Sequence, residues 1–203
     1  MLQFERGIFE ENSPENFPER YNQYDLSGNP FEEKETMEIA KSLIETLKQL
    51  CIFFNGSDIK FCLVGGLAVG ILAKPRATED IDLLVLIDEE DIETIGSRIR
   101  HDFDIIQEHE LMHFKHATIW RIVFKDYFTE DTGLVIVDLI LANNEIYKKT
   151  VVDVIKLKID NIEIPVAKPE NLIKMKKLSN RPQDRLDIQS IAEAMIHDGE
   201  KTP

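Results

Sequence analysis

The spacing of hydrophobic residues changes several times along the chain, and each change predicts a new element. Between residues 31 and 50 apolar side chains recur every three or four positions, which is the spacing of one buried helix face. These positions are Met37, Ala40, Leu43, Ile44, Leu47 and Leu50. Residues 59–64 and 79–87 are both expected to be strands, and the continuous apolar run at 83–87 is typical of a strand buried on both faces. A glycine turn and a short helix are expected between these strands, and a further helix over 89–101.

The middle of the chain is predicted to contain mainly strands. Residues 117–124 combine β-branched and aromatic side chains, and 133–141 form another apolar run, so both are expected to be strands. The rest of 104–125 has no clear period. Residues 154–167 are expected to form either a hairpin or a single strand around the Asp-Asn turn signal at 160–161.

Two helices are expected near the C-terminus, over 170–179 and 182–195, because Pro169 and Pro182 stand where helices can start. The formal net charge of −14 argues against broad binding of DNA, RNA or anionic lipid. Basic residues nevertheless gather around these helices: Lys168, Lys174, Lys176, Lys177, Arg181 and Arg185. They form either the solvated face of a helix or a site for one small anion.

The length of 203 residues predicts one domain, over 35–203, preceded by an acidic extension over 1–34. No apolar run reaches the length of a membrane span, and the first residues lack the basic-then-apolar pattern of a signal peptide. We therefore expect a cytoplasmic protein without membrane contact. Cys51 and Cys62 are expected to be reduced core residues rather than a disulfide.

Two carboxylates on the second predicted strand are the first candidates for chemistry. Asp80 and Asp82 are two positions apart, so in a strand they point to the same face with Cα atoms about 6.6 Å apart. That spacing suits a pair of Mg²⁺ ions bound by carboxylate oxygen. The Asp-x-Asp spacing recurs at 102–104, without a glycine turn before it, so the context makes the first copy specific. The Gly65-Gly66 turn and this strand together indicate phosphoryl or nucleotidyl transfer.

Asp138 lies in the middle of the apolar strand 133–141. A carboxylate buried there is costly unless it is paired or bound to metal. Asp80 and Asp82 on a neighbouring strand would supply that pairing through shared cations. The alternative places Asp138 at a strand end, with hydrogen bonds to backbone.

A second motif competes with this interpretation. His109-Glu-Leu-Met-His113 matches the H-E-x-x-H zinc pattern, which requires both histidines on one helical face. The following segment is predicted to be strand, and no clear third ligand is present. A zinc metalloprotease is therefore the less favoured alternative.

The stretches LVGGLAV at 63–69 and RATEDID at 76–82 resemble the nucleotidyltransferase superfamily that includes DNA polymerase beta. They are most similar to a small bacterial branch with AbiEii-like toxins and antibiotic nucleotidyltransferases. The late segment 169–187 is similar to the C-terminal signature of that branch, and the resemblance covers about 35–195. It implies an α/β (α+β) nucleotidyltransferase fold, a small mixed β-sheet flanked by helices with a C-terminal helical segment.

The resemblance also implies roles for matching positions. Asp80, Asp82 and Asp138 would hold the metals, two Mg²⁺ ions or Mn²⁺ in their place, and Asp138 would accept the proton of the acceptor hydroxyl. The implied nucleotide-binding residues are Gly65, Gly66, Arg76, Thr78, Lys176 and Arg181, with Lys176 on the triphosphate and Arg181 bracing it together with Asp184.

The leading expectation is thus a Mg²⁺-dependent enzyme that moves a nucleoside monophosphate from an NTP to an acceptor. The acceptor is a small molecule, a protein hydroxyl or an RNA end, and nucleic acid is expected in no other role. The alternative is a non-catalytic interaction protein of a toxin–antitoxin system, which binds a protein partner.

Overall fold

Eight strands form one mixed sheet within residues 33–74, 76–128 and 133–200, the part of the chain that the computed structural model describes. The strands are β1 (Phe61–Leu63), β2 (Asp80–Val85), β3 (Ile105–Glu108), β4 (Met112–His113), β5 (Thr118–Lys125), β6 (Leu134–Leu141), β7 (Val154–Ile159) and β8 (Ile162–Ala167). The helices in the same part are α1 (Glu33–Gly56), α2 (Gly65–Leu72), α3 (Ile92–Asp102), α4 (Glu145–Val152), α5 (Pro169–Ser179) and α6 (Pro182–Glu200).

The strand order is β3-β5-β6-β2-β1-β8-β7, and β4 also pairs with β5. The β2–β6 and β1–β8 pairs are parallel, whereas the other neighbours are antiparallel. This mixed sheet flanked by helices confirms the predicted fold class. No described helix has both the length and the apolar character that a membrane span requires.

Alternate side chains of the central strands divide the sheet into two different faces. Ile81, Val137 and Ile122 are in register across β2, β6 and β5, and each is fully buried. Aromatic rings connect this face to α1, since Phe103 lies 5.7 Å from Phe53 and 5.2 Å from Phe124 between ring centroids. The core therefore fills this face. The opposite face is also buried around Cys62 and Leu84, but it is open where the carboxylates lie.

Helix α1 is longer than its hydrophobic pattern predicts. The prediction ends at Leu50, but Cys51 and Phe54 are fully buried and continue the same packed face to Gly56. The chain then leaves the helix through Ser57, whose hydroxyl donates to Phe53 O at 2.7 Å, and through Asp58 with φ of 55°. The continuous run of five apolar residues at 50–54 hides the helical period here.

Helix α4 was not predicted from the sequence. Asn144 caps it by accepting a hydrogen bond from Tyr147 N at 3.0 Å, and Glu145 lies in its first turn. Its last residues are β-branched and have low helix propensity, so tertiary packing decides this element. Tyr147, Thr150 and Val151 are the side chains that it buries.

The other predicted elements are present with small shifts of their ends. The segment 154–167 is a hairpin, and its turn includes Asp160 with φ of 54°. The expected helix over 89–101 is a short 3₁₀ turn, Glu89–Asp91, followed by α3. The last helix continues to Glu200, five residues past its predicted end at 195. The predicted extension 1–34 lies outside the described residues except for its last two positions, which belong to α1.

Candidate active site

Three carboxylates converge on the open face of the sheet. Strands β2 and β6 are parallel with Asp82 directly beside Asp138, and Asp80 lies one pleat earlier on the same face. Each residue offers one carboxylate oxygen, and these oxygens lie within 4.8 Å of one another. Asp138 is buried, whereas Asp80 and Asp82 are half-buried. The sheet register thus brings together the three carboxylates that the sequence singled out.

The cluster is electrostatically costly without a cation. Burial raises the pKa of Asp82 to about 7, and the negative charges of Asp80 and Asp138 add to the shift. The positive charges of Lys176 and Arg181 partly oppose it. Carboxylates that repel one another at this distance are a good oxygen ligand set for a divalent cation.

The glycine turn fits closely around Asp82. Gly65 begins α2 with φ of +67°, a conformation that other residues rarely adopt. A Cβ at Gly65 would overlap the Asp82 carboxylate, so only glycine lets the turn approach the strand this closely. Val64 N donates to Asp82 O at 2.9 Å and fixes the turn to β2. The first N–H groups of α2, at Gly65 and Gly66, precede the first helical hydrogen bond and lie beside the carboxylates.

Arg76 and Thr78 pack on the second glycine of the turn. A Cβ at Gly66 would lie 2.6 Å from Arg76 Nη2 and 2.6 Å from Thr78 Oγ1. The Thr78 hydroxyl donates to Asp80 Oδ1 at 2.9 Å and orients that carboxylate. The loop between α2 and β2 therefore connects the glycine turn to the first carboxylate of the cluster.

Lys176 is buried in an ion-pair network rather than exposed to the site. Its ammonium lies 2.6 Å from Asp187 Oδ2 and 3.6 Å from Asp184 Oδ1, with 7% of the side chain exposed. Arg76 Nε lies 3.0 Å from Asp187 Oδ1, so this carboxylate connects α6 to both α5 and the loop. Although burial alone would raise the pKa of Asp187, the hydrogen bond from Lys176 lowers it overall. A contact between Lys176 and a triphosphate stays a prediction, and it requires the ammonium to be shared with Asp187.

Arg181 is the more accessible cation of the same region, with 72% of its side chain exposed. Its backbone N–H and its Nε donate to Asp184 Oδ2 at 2.8 and 3.1 Å. Burial alone would raise the pKa of Asp184, but the hydrogen bonds from Arg181 and Ser179 lower it overall. The hydrogen bond to Asp184 is the main cause of the raised pKa of Arg181, and the charges of Asp82 and Asp80 add to it, so this guanidinium lies near the carboxylate cluster.

Arg121 is a residue of the site that the sequence interpretation missed. It lies on β5 in register with Asp138 and donates to both of its oxygens, Nε to Oδ1 and Nη2 to Oδ2, each at 2.7 Å. The hydrogen bond to Asp138 is the main cause of a raised pKa at Arg121. An arginine inside an otherwise apolar strand is a signal for a buried carboxylate partner, and Asp138 was available as that partner.

The structure excludes a helical H-E-x-x-H site at residues 109–113. His109 and Glu110 lie in the connection after β3, and His113 belongs to the strand β4. The two histidines therefore do not share one helical face, which the zinc pattern requires. Within the described part of the chain, only Asp80, Asp82 and Asp138 group three side chains closely enough to hold a metal ion.

The chain is similar to proteins of one family and one fold. The sequence model of the family described as "Nucleotidyl transferase AbiEii toxin, Type IV TA system" matches residues 49–200. No curated protein matches the sequence. An antigenic nucleotidyltransferase-like protein from Paracoccidioides brasiliensis is 20% identical with a TM-score of 0.54, and the match covers 74% of this chain and 75% of that one.

Two further solved structures are more distant. JHP933 from Helicobacter pylori is 15% identical with a TM-score of 0.46, over 80% of this chain and 67% of that one. The lincosamide antibiotic adenylyltransferase LnuA, solved with lincomycin, is 13% identical with a TM-score of 0.43, and the match covers 74% of this chain and 96% of that one. The family match spans most of the chain and includes the glycine turn and all three carboxylates, so the chain belongs to the AbiEii nucleotidyltransferase family.

Proposed function

We propose that this protein transfers a nucleoside monophosphate from an NTP to an acceptor, with two Mg²⁺ ions held by Asp80, Asp82 and Asp138. Nucleotidyl transfer is the activity of its family. The single observation that carries the finer proposal is the convergence of the three carboxylates beside the glycine turn. Mn²⁺ has the same preference for oxygen ligands and is proposed as a substitute.

The donor set fits the proposed metal. It consists of carboxylate oxygens only, with no cysteine or histidine among its members, and hard oxygen ligands favour Mg²⁺ over zinc. When bound, the metal supplies Lewis-acid stabilisation of the charge that develops on the transferred phosphoryl group. The raised pKa of Asp82 supports the fit, because cation binding relieves the repulsion that raises it.

The side chains around the cluster suggest how the substrate is held. The first N–H groups of α2 lie at the glycine turn beside Asp82 and are suited to phosphate oxygens. Arg181 is exposed near them, and its guanidinium can contact a triphosphate while its Nε stays hydrogen-bonded to Asp184. Thr78 keeps the Asp80 carboxylate oriented, and Arg76 is tied to Asp187 and holds the loop over Gly66.

Asp138 is proposed to accept the proton of the attacking hydroxyl. It is the most buried of the three carboxylates and lies directly beside Asp82 in the sheet. The acceptor hydroxyl would then be deprotonated beside the α-phosphate of the NTP, and pyrophosphate would leave in line with the attack.

The acceptor is proposed to be a small molecule, a protein hydroxyl or an RNA end. The net charge of −14 disfavours a long nucleic acid surface. Lys174, Lys177 and Arg185 are nevertheless exposed on α5 and α6, the helices on either side of Arg181, so the end of an anionic acceptor has basic groups to contact. The family description also makes a toxin–antitoxin role part of the proposal.

Transfer of label from NTPs tests the proposed reaction. Each NTP, labelled at the α-phosphate, is incubated with the protein, Mg²⁺ and cell extract, and label on an acceptor is measured. A γ-phosphate label is expected to stay off the acceptor, because it leaves with pyrophosphate. EDTA is expected to abolish transfer.

The chain provides its own matched control for this experiment. Asp80→Ala and Asp82→Ala together are expected to abolish transfer while the protein stays folded. Asp102→Ala removes an exposed aspartate of the second Asp-x-Asp copy and is expected to leave transfer unchanged. Undiminished transfer by a well-folded double variant would exclude the metal assignment. Absence of transfer with every NTP would instead favour the non-catalytic interaction protein.

A further inference from the structure

The Arg121–Asp138 pair uses the same oxygens that a metal would need. Both carboxylate oxygens of Asp138 accept hydrogen bonds from the guanidinium at 2.7 Å, in the two-pronged geometry of strong arginine–carboxylate pairs. Asp82, the neighbour of Asp138 in the sheet, has no side-chain hydrogen bond or ion pair with any described residue. Only one member of the cluster is thus neutralised directly by the protein.

The position of Arg121 allows this pair to open. The side chain is 37% exposed and reaches Asp138, which is 6% exposed, from the open side of the sheet. A guanidinium at this depth can turn back into water without leaving a buried charge of its own. The carboxylate cannot do the same, because the strand β6 fixes it beside Asp82.

Opening the pair would leave Asp138 in an unfavourable environment unless another cation replaces Arg121. The remaining neighbours within the cluster are two further carboxylates, Asp80 and Asp82. A divalent cation is the natural replacement, since it binds all three. Guanidinium and metal compete for Asp138, because the guanidinium already occupies one lone pair on each oxygen and its positive charge repels a cation bound at the remaining ones.

We propose that Arg121 is a positioning residue that competes with the metal for Asp138 and thereby weakens the affinity of the site for free divalent cations. This inference rests on the proposed metal site. In the absence of metal, Arg121 holds the carboxylate of Asp138 in place beside Asp82. Metal binding takes at least one oxygen of Asp138 from Arg121, and an anionic triphosphate provides the freed guanidinium with a new partner.

If Arg121 only stabilised the site, its loss would weaken Mn²⁺ binding; if Arg121 competes with the metal, its loss strengthens Mn²⁺ binding. Arg121→Met removes the competitor and its positive charge, so the variant is expected to bind Mn²⁺ about tenfold more tightly than wild type, or more. Arg121→Lys keeps the charge but loses the two-pronged contact, and is expected to lie between the two. A non-hydrolysable NTP is expected to increase the Mn²⁺ affinity of wild type more than that of Arg121→Met. In wild type the triphosphate draws the guanidinium away from Asp138, and the variant has no guanidinium to draw away.

Arg100 provides a matched control. Its side chain has the same 37% exposure, and its Nη1 donates to both oxygens of Glu108, at 3.1 and 2.9 Å. This pair joins α3 to the edge strand β3 and contains none of the three clustered aspartates. Arg100→Met is expected to leave the Mn²⁺ affinity unchanged, since only the overall charge differs from wild type.

Titration of Mn²⁺ into purified protein, followed by electron paramagnetic resonance of the free ion, measures these affinities without turnover. Thermal unfolding confirms that each variant is folded. If Arg121→Met does not fold, Arg121→Lys is used in its place. Tighter binding in the Arg121 variant than in both wild type and Arg100→Met supports the proposal. Equal or weaker Mn²⁺ binding by a folded Arg121 variant overturns this proposal. The proposed metal site still stands in that case, provided that wild type binds Mn²⁺ and the Asp80→Asn variant does not. No Mn²⁺ binding to wild type overturns both.

Discussion

Asp82 is the residue on which the electrostatics of the site depend most. It lies against Gly65, between the charges of Asp80 and Asp138, and its pKa of about 7 is well above the ordinary value of 3.8. A carboxyl whose pKa is raised in the folded state favours folding while it is protonated and disfavours it once it is charged. Above neutral pH and without metal, Asp82 is therefore a source of instability.

Replacing Asp82 by Asn is expected to stabilise the metal-free protein at about pH 8 by roughly 1–3 kcal/mol, because the amide carries no charge. The measurement is urea unfolding in EDTA, with Asp102→Asn as the exposed control. Addition of Mg²⁺ is expected to stabilise wild type and not Asp82→Asn. A less stable Asp82→Asn protein in EDTA would mean that the Asp82 carboxylate is not strained by its neighbours.

Gly65 offers a second test at the residue scale. Gly65→Ala introduces a Cβ that overlaps the Asp82 carboxylate, at a backbone φ of +67°. We expect a loss of about 1–3 kcal/mol in stability and at least about a hundredfold loss of transfer, since the turn and Asp82 can no longer fit together. Gly56→Ala is the control, because no atom lies within 4 Å of its new Cβ. Near wild-type transfer by Gly65→Ala would show that the close approach of turn and strand is dispensable.

Among single residues, the sequence indicated which carboxylates lie together, but it did not indicate which basic residues pair with them. Asp80, Asp82 and Asp138 stand out because acidic residues inside apolar strands need a reason. Arg121 was missed because its significance depends on the antiparallel register of β5 with β6, which places it opposite Asp138. Burial of Lys176 was likewise invisible, since it follows from the packing of α5 against α6.

At the scale of elements, the site is held together from the C-terminal side by α5 and α6. Asp187 on α6 accepts from Lys176 on α5 and pairs with Arg76 before β2. One carboxylate thus fixes two helices and the loop that covers the glycine turn. Removing it would leave the nearly buried Lys176 with only the more distant Asp184, at 3.6 Å.

Asp187→Asn is therefore expected to destabilise the protein by about 3 kcal/mol, as measured by urea unfolding, because it leaves a buried ammonium poorly paired. Glu193 lies on the same helix as Asp187 and makes an exposed ion pair with Lys74, so Glu193→Gln is expected to cost less than about 1 kcal/mol of stability. If both variants lose the same small amount, the buried network does not stabilise the α5–α6 contact.

Which elements the sequence could predict depended on how they are stabilised. β2 and β6 carry their own hydrophobic signal, whereas α4 is short and rich in β-branched residues and forms only because its buried face packs on its neighbours. The end of α1 was misplaced because continuous apolar residues beyond Leu50 carry no helical period. The spacing of His109 and His113 suggested a zinc site for a related reason. Such spacing indicates a shared face only if both residues lie on one helix, and His113 lies on a strand.

For the whole molecule, one hydrophobic core extends over both faces of the sheet, and the proposed chemistry lies at the accessible end of one face. Cys51 and Cys62 are free and fully buried in it, and burial raises the pKa of each thiol to about 12. Neither thiol is expected to react with Ellman's reagent in the native protein at about pH 8, whereas both react in denaturant. Rapid labelling of the native protein would show that this core opens readily.

The open face of the same sheet carries the proposed activity, and its test is direct. A crystal structure with Mn²⁺ and a non-hydrolysable NTP, recorded at a wavelength where manganese scatters anomalously, locates metal and triphosphate together. We predict manganese peaks bounded by Asp80, Asp82 and Asp138, with the triphosphate against the Gly65-Gly66 turn. Manganese and triphosphate bound elsewhere, with the three carboxylates free of metal, would contradict the proposed site.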